Sequence, residues 1–241
     1  MIGDPLPPQE ADLPPLGADF SERFEREKRP PCQLYLISPP AIDETFVTAL
    51  KSALSGGAVA AFQLRLKGID DDAIARLAEP LQRVCADHDT AFIINDSMTL
   101  AKRLGADGVH LGQGDGDPRE ARALLGDDAQ IGVTCHNERH LAMEAGEAGA
   151  NYVAFGAFYQ TGTKQVQFMA DPSILSWWIT LFGTPCVAIG GITPANARPL
   201  IDAGADFIAV SAAIWSDPGG ADAAVAKFVS ILSADVALSS Y

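Results

Sequence analysis

Two basic side chains occupy alternate positions of one short apolar segment. Within a predicted strand, Ala60–Leu66, and the residue after it, alternation places Gln63, Arg65 and Lys67 on one face and apolar side chains on the other. A strand that leads into a helix normally buries both faces, so two cations there require an anionic partner. A half-exposed edge strand would explain the same pattern without a ligand. The segment therefore predicts either an anion site or an edge strand.

Polar or glycine-containing segments also follow the later predicted strands. One such segment is common in any α/β protein, but recurrence at consecutive strand ends is typical of a barrel enzyme, in which the carboxyl ends of the strands meet. The segments are Asn95-Asp96, His110–Asp115, Thr134–His136, Thr161–Lys164, Gly190-Gly191 and Ser211-Ala212.

The charged side chains at these positions are of two kinds. Arg65, Lys67 and Lys164 are cations that suit phosphate oxygens. Asp96 and Asp115 are hard carboxylates able to hold Mg²⁺, which binds through one or two carboxylates together with substrate phosphates. The structural alternatives are a helix N-cap for Asp96 and a loop-tip charge for Asp115.

Main-chain groups indicate a second anion site. Gly190-Gly191 and Ser211-Ala212 follow the seventh and eighth predicted strands, where barrels often hold a phosphate on backbone N–H groups. We therefore expect one anion site with Mg²⁺ and cationic side chains, and another made mainly of main chain.

The elements that position these residues alternate regularly from Cys32 onward. Three related turns, Gly105-Ala106-Asp107, Gly149-Ala150-Asn151 and Gly204-Ala205-Asp206, each follow a predicted helix and precede a strand, as expected of a left-handed helix stop. This alternation predicts a single-domain α/β protein with a (β/α)8 TIM barrel. A doubly wound open sheet would need a glycine-rich dinucleotide loop, which Ser38-Pro39-Pro40 is not.

The predicted strands are Gln33–Ile37, Ala60–Leu66, Ala91–Asn95, Gly108–Leu111, Gln130–Thr134, Tyr152–Gly156, Cys186–Ile189 and Phe207–Val210. The predicted helices are Thr45–Ser55, Asp71–Asp89, Met98–Leu104, Pro118–Leu125, Glu138–Ala148, Ser173–Phe182, Pro194–Ala203 and Ala221–Ser233.

Composition limits the class of protein. The chain has 241 residues, 48% of them hydrophobic, and its net charge of −14 argues against nucleic acid and anionic membranes as partners. No apolar run approaches the ~20 residues of a membrane span, and the N-terminus lacks a signal pattern. With four scattered cysteines, we expect reduced thiols in a cytoplasmic protein. We expect residues 1–31 to form a disordered or loosely docked tail and residues 32–241 to form the barrel.

Two other patterns have plain structural interpretations. His136 and His140 are spaced for metal ligation on a helix, but Asn137 resembles the N-cap of that helix and would leave His136 in the preceding loop. The run Asp70-Asp71-Asp72 fits a helix start, which favours negative charge.

Taken in order, the segments QLRLK, ND, GADGVHLGQ followed by Asp115, TGTK and AIGGI resemble thiamine phosphate synthase. The resemblance extends from Gln33 to about Ser233. It implies a (β/α)8 barrel that joins a hydroxymethylpyrimidine diphosphate to a thiazole phosphate with release of pyrophosphate. The implied partners are small phosphorylated molecules and the implied cofactor is Mg²⁺. A homo-oligomer is compatible with the sequence but not indicated by it.

Position by position, the resemblance also implies roles for individual residues. The Mg²⁺ ligands would be Asp96 and Asp115, and Thr134, which stands where the family commonly has serine, would contact the substrate. Contacts with the pyrimidine diphosphate are implied for Gln63, Arg65, Lys67, Asn95 and Lys164, with Arg65, Lys67 and Lys164 acting in catalysis. Contacts with the thiazole phosphate are implied for Thr161, Thr163, Gly191, Ser211 and Ala212.

The chain departs from the family pattern at several positions. Leu66 replaces a common acidic residue, Ser97 stands where a larger polar side chain is frequent, and Ala212 replaces a serine of the thiazole phosphate site. The stretch Gln165–Asp171 lacks an expected glycine. Two alternatives follow: a thiazole tautomerase-like enzyme, which would need neither Mg²⁺ nor the cations, and a non-catalytic, regulatory barrel that binds thiazole phosphate.

Overall fold

A computed structural model describes residues 29–160 and 169–238, with side chains to residue 233. Eight parallel strands close into a barrel in chain order, and the last strand pairs with the first. The predicted (β/α)8 barrel is therefore confirmed. The strands are β1 Gln33–Ile37, β2 Ala61–Leu64, β3 Ala91–Asn95, β4 Gly108–Leu111, β5 Gln130–His136, β6 Tyr152–Phe155, β7 Cys186–Ile189 and β8 Phe207–Val210.

Helices follow the strands and cover the outside of the barrel. They are α1 Phe46–Ser55, α2 Asp71–Ala86, α3 Met98–Leu104, α4 Pro118–Leu125, α5 Arg139–Glu147, α6 Ser173–Leu181, α7 Arg198–Asp202, α8 Ala212–Trp215 and α9 Ala221–Leu238. The short helix α8 directly after β8 has no counterpart in the prediction. Among the described residues, no helix is long and apolar enough to cross a membrane.

The core has two layers because alternate strand residues face opposite sides of the sheet. Large apolar side chains such as Phe62, Phe92 and Phe155 are fully buried between the strands and the helices. The inward-facing layer is smaller and contains two tyrosines, Tyr35 and Tyr152, among short aliphatic side chains. The inside of the barrel is therefore filled with side chains, and only some of the strands contribute polar groups to it.

The three related turns lie at the amino ends of the strands, where they join neighbouring strands. Asp107, Asn151 and Asp206 each accept a hydrogen bond through a side-chain oxygen from a backbone N–H at the start of the preceding strand. The donors are Phe92, Ile131 and Cys186, at 2.7, 2.8 and 2.8 Å respectively. The glycine that opens each turn has a positive φ, 59° at Gly105, as the left-handed helix stop requires. The repeat thus satisfies backbone donors that would otherwise lie unpaired at this end of the barrel.

Residue 29, inside the predicted tail, contacts the same end of the barrel. The Arg29 guanidinium donates to both carboxylate oxygens of Asp206, at 3.0 and 2.8 Å, and to the carbonyl of Phe182 at 2.6 Å. The Asp206 side chain is only 12% exposed, so the bond lies partly out of water. Residues 1–28 lie outside the described part of the chain.

Candidate active site

Strand β2, which carries the start of the basic segment, ends earlier than the alternation predicts. The strand stops at Leu64, and Arg65 and Lys67 lie in the loop beyond it. Just after β1, the Ser38 hydroxyl replaces the backbone as the hydrogen-bond partner of Arg65. Its Oγ accepts from the Arg65 N–H at 2.9 Å and contacts the Arg65 carbonyl oxygen at 3.3 Å. Both cations therefore lie beyond the last residue of β2, where Arg65 is half-buried and Lys67 is exposed. The edge-strand alternative is wrong, because β2 pairs with both β1 and β3.

Within β2, Gln63 lies on the same face as Ala61 and faces the barrel interior. It is only 3% exposed overall. Its amide atoms are not among the fully buried atoms that lack a hydrogen-bond partner, so they remain accessible to water or to a polar ligand atom.

Asp96 follows β3 and meets a cation of the loop after β2. Its carboxylate lies 3.1 Å from the Lys67 ammonium. Its backbone has a φ of 65°, a left-handed conformation that few non-glycine residues adopt, and its N–H donates to the carbonyl of His110 in β4 at 2.8 Å. The N-cap alternative for Asp96 is wrong, because Ser97 caps α3 by accepting from the Leu100 N–H.

Asp115 faces the Asp96 carboxylate from the loop after β4. Its Oδ2 accepts from the Gly112 N–H at 2.9 Å, so the side chain folds back onto its own loop. The pKa of Asp115 is raised by burial and then by the hydrogen bond and charge of Asp96, while the Gly112 N–H and Lys67 act in the opposite direction. Two carboxyl groups thus share one small region, where Lys67 supplies an adjacent ammonium.

A buried polar network that the sequence analysis did not predict lies beneath these groups. His110 Nε2 lies 2.8 Å from Thr134 Oγ1, and His110 Nδ1 lies 3.1 Å from the hydroxyl of Tyr152. That hydroxyl lies 2.9 Å from the hydroxyl of Tyr35. Burial, followed by the charge of Arg65, lowers the pKa of His110 to about 4, so the imidazole is uncharged at neutral pH. Strand alternation could have placed these side chains inside, but only the closed barrel brings them together.

The carboxyl end of β5 carries Thr134 beside a register shift. The β5–β6 pairing is irregular between Thr134 and His136, and His136 has a positive φ of 53°. The Thr134 carbonyl accepts from Gln113 Nε2 at 2.6 Å, which ties the β4 loop to β5. Because β5 extends to His136 and Glu138 is the N-cap of α5, the prediction that Asn137 caps this helix is wrong.

The residues of the second predicted anion site follow the last two strands, β7 and β8. Gly191 has a φ of 64°, and its carbonyl accepts from Asn196 Nδ2 at 3.1 Å. The Ser211 hydroxyl donates to the carbonyl of Ser38 at 3.1 Å, which ties the end of β8 to the end of β1. Ala212 is exposed at the start of α8 and offers no hydroxyl.

The remaining predicted site residues are Asn95, which the structure describes, and three residues outside the described range. Asn95 ends β3 half-buried, next to Asp96. Thr161, Thr163 and Lys164 lie outside the described residues, as does most of Gln165–Asp171.

The structure contradicts one detail of the first pattern, because His136 ends β5 and does not lie in a loop, and it confirms the second. His140 is 79% exposed and pairs with Glu144 at 3.0 Å, and no cluster of three or more potential metal-ligating side chains exists among the described residues. Asp70 caps α2 by accepting from the Ala73 N–H at 2.8 Å, which confirms the helix start.

Comparisons with known proteins agree with the resemblance. The sequence profile of the thiamine monophosphate synthase family matches residues 34–214. The chain is 60% identical to the thiamine-phosphate synthase of Erythrobacter litoralis over 208 residues, which cover 85% of this chain and 97% of that protein. It is 56% identical to the thiamine-phosphate synthase of Rhodospirillum centenum, over 82% and 96% of the two chains. The structure of a thiamine phosphate pyrophosphorylase from Pyrococcus furiosus superposes with a TM-score of 0.74 at 27% identity, over 84% and 96%.

Proposed function

Because the chain belongs to the thiamine monophosphate synthase family, we propose that it is a transferase of thiamine biosynthesis that couples 4-amino-2-methyl-5-hydroxymethylpyrimidine diphosphate to 4-methyl-5-(2-phosphoethyl)thiazole and releases pyrophosphate. The observation that carries this proposal is the meeting of Lys67, Asp96 and Asp115 at one edge of the barrel. A diphosphate needs cations, and a divalent metal needs carboxylates that are not fully neutralised by the protein.

The two facing carboxylates fit Mg²⁺. Asp96 and Asp115 raise the electrostatic energy of the site when both are ionised, and Lys67 neutralises only part of their charge. Asp96 and Asp115 would hold the ion, with diphosphate oxygens completing its ligands. When bound, Mg²⁺ supplies Lewis-acid stabilisation of the charge that develops on pyrophosphate.

The chain's own cations stabilise the same developing charge. Arg65 and Lys67 lie in the loop after β2, where their charged groups would contact a diphosphate at the carboxyl end of the barrel. Lys164 joins them by resemblance. Because these contacts strengthen as the C–O bond breaks, they lower the barrier and do more than bind the substrate.

The coupling step requires little general acid–base catalysis. The thiazole nitrogen is already nucleophilic, and its attack on the pyrimidine methylene carbon is favoured by a fixed orientation of the two substrates. Gly191, Ser211 and Ala212 would anchor the thiazole phosphate through main-chain groups. Since the Ser211 hydroxyl already donates to Ser38, its backbone N–H is the donor left for that phosphate.

The assay of thiamine phosphate formation from the two substrates, with and without Mg²⁺, tests this function. Lys67→Ala should lower turnover by at least about tenfold, because it removes a charge-assisted contact with the diphosphate. Arg103→Ala is the matched control, since Arg103 is equally exposed (54% against 58%) and also pairs with an aspartate, Asp72, but on the outer helices. Equal losses of turnover in both variants, or turnover that does not depend on Mg²⁺, would contradict the proposal.

A second pair of variants separates the synthase from a thiazole tautomerase. Lys164→Ala should lower synthase turnover by on the order of a hundredfold, because the ammonium contacts the departing diphosphate. His136→Ala should cost about tenfold through orientation alone, because the coupling requires no proton transfer from this residue. A tautomerase would show the reverse order, since its reaction is a proton shift without a diphosphate.

A further inference from the structure

A hydrogen-bonded chain of four side chains crosses the barrel interior. It runs from Tyr35 in β1 through Tyr152 in β6 and His110 in β4 to Thr134 in β5, with separations of 2.9, 3.1 and 2.8 Å. We call these four residues the interior relay. Tyr35, Tyr152 and His110 are buried, whereas Thr134 is half-buried at the carboxyl end of the barrel. The relay therefore has one closed end and one end that opens at the candidate site.

A glycine makes the relay sterically possible. Gly132 in β5 lies in register with His110 on one side and with Tyr152 on the other. A Cβ at this position would fall on the ring of Tyr152. The absence of a side chain at Gly132 lets the tyrosine ring lie over β5 and bring its hydroxyl to His110 Nδ1.

The number of protons in the relay determines which group donates in each of its hydrogen bonds. Each of the three hydroxyls and the uncharged imidazole carries one proton, so the relay has four protons for three hydrogen bonds. If the bonds run toward Tyr35, the last proton belongs to a buried hydroxyl that has no other partner among the described residues, which is costly. If they run toward Thr134, every buried proton is used and the spare proton lies at the open end.

On this basis, which rests on the proposed function and on the substrate contact that the resemblance implies for Thr134, we propose that the interior relay holds His110 as the Nε2–H tautomer and thereby directs the proton of the Thr134 hydroxyl outward, toward an oxygen of the substrate diphosphate. Tyr152 donates to His110 Nδ1, and His110 Nε2–H donates to Thr134 Oγ1. The Thr134 proton is then directed outward. A diphosphate offers only acceptors to a hydroxyl, so the direction of the relay decides whether Thr134 binds it.

His110 and Tyr152 are positioning residues in this scheme. They act through the orientation of one proton on Thr134, and the residue that touches the substrate is Thr134. The scheme differs from a simple packing role because it predicts which nitrogen of His110 carries the proton and which hydroxyl sets it.

The tautomer is measurable by ¹⁵N NMR of the histidine side chains, with the His110 signals identified by their loss in His110→Asn. In the unmodified protein we expect a protonated Nε2 and an unprotonated Nδ1. Tyr152→Phe removes the donor to Nδ1 and should yield a mixture of tautomers. Tyr35→Phe, which deletes a hydroxyl one bond further away, should preserve the Nε2–H form. A protonated Nδ1 in the unmodified protein, or an unchanged tautomer in Tyr152→Phe, would overturn the proposal.

Kinetics test the consequence for Thr134. Thr134→Val should lower kcat by on the order of tenfold or more, and Thr134→Ser should restore most of that loss. Tyr152→Phe should lower kcat by about tenfold when Thr134 is present but by less than about twofold in the Thr134→Val background, because both changes remove the same donated proton.

The matched control is Tyr35→Phe, which should lower kcat severalfold less than Tyr152→Phe. Additive losses in the double variant, with melting temperatures that show all variants to be folded, would show that Tyr152 acts by packing and would refute the scheme. If the unmodified protein forms no thiamine phosphate, the proposed function fails, whereas the tautomer measured by NMR still decides the direction of the relay.

Discussion

Replacing Asp115 by Asn should stabilise the metal-free protein while it removes activity. The pKa of Asp115 is raised by burial and by Asp96, so its ionised form is unfavourable in the folded state. An amide keeps an oxygen able to accept from Gly112 but carries no charge. Two unit charges about 4 Å apart repel by roughly 1 kcal/mol in water and about 4 kcal/mol at an intermediate dielectric, and Lys67 offsets part of this. We therefore expect the free energy of unfolding to rise by on the order of 1 kcal/mol.

The pH dependence follows from the direction of the pKa shift. A carboxyl whose pKa is raised in the folded state binds more protons there than in the unfolded state, so it costs stability once the pH exceeds both pKa values. The advantage of Asp115→Asn should therefore be largest near pH 7 and should shrink as the pH falls toward 3.8, the ordinary value for an aspartate. Urea unfolding at several pH values measures this difference.

Mg²⁺ with inorganic pyrophosphate should reverse the order of stability. A ligand at one hundred times its Kd adds about 2.7 kcal/mol to the unmodified protein, and the variant, which lacks one of the proposed ligands, should gain far less. Asp127→Asn makes the same charge change at an exposed loop position and should shift stability by less than about 0.5 kcal/mol under all conditions. A variant that is less stable than the unmodified protein at pH 7 without Mg²⁺ would refute the reasoning.

Three further substitutions test the amino end and the interior of the barrel. Arg29→Ala should lower the free energy of unfolding by about 1–3 kcal/mol, because it leaves the poorly exposed Asp206 carboxylate without its cationic partner, while Arg83→Ala at an exposed ion pair should change it by less than about 0.5 kcal/mol. Gly132→Ala should cost about 1–3 kcal/mol in thermal unfolding, because the new methyl group collides with the ring of Tyr152. Asp107→Ala should cost about 1–2 kcal/mol in urea unfolding by leaving the Phe92 N–H unpaired, whereas Asp107→Asn should cost little, since Asn151 accepts the same kind of bond with an amide oxygen. Equal losses in the two Asp107 variants would show that charge, and not the accepting oxygen, stabilises this turn.

The strand and helix pattern was predictable because each element carries its own signal. Five of the strands, including β1 and β3, have the predicted bounds, and helices α3 and α4 agree at both ends. These elements depend on local alternation and on glycine stops, which the chain carries within a few residues. The barrel itself follows from repetition of those signals without a break in composition.

The strand ends that were predicted wrongly lie where a residue distant in sequence determines the end of the strand. The end of β2 is set by the Ser38 hydroxyl, which no pattern near Arg65 reveals. The end of β5 extends past Thr134 because His136 pairs with Phe155 across a register shift. In both places the strand bounds depend on contacts between segments, which sequence alternation does not encode.

The candidate site was predictable in residue type but not in arrangement. The carboxylates and cations were identified because such residues at strand ends are chemically unusual. The interior relay gave no such signal, since Tyr35 and Tyr152 are ordinary strand residues in sequence. Their importance arises only when barrel closure brings β1, β4, β5 and β6 around one interior.

The two ends of the barrel use acidic side chains in opposite ways. At the amino end, Asp107 and Asp206 accept hydrogen bonds from backbone donors of neighbouring strands, so each carboxylate stabilises the fold. At the carboxyl end, Asp96 and Asp115 face each other, one of them in a left-handed backbone conformation, and each makes the local structure less favourable in the absence of a ligand. Acidic groups that cost stability have no structural reason to be placed together. This contrast between the two ends supports the proposal that Mg²⁺ binds at the carboxyl end, and the support does not depend on resemblance to other proteins.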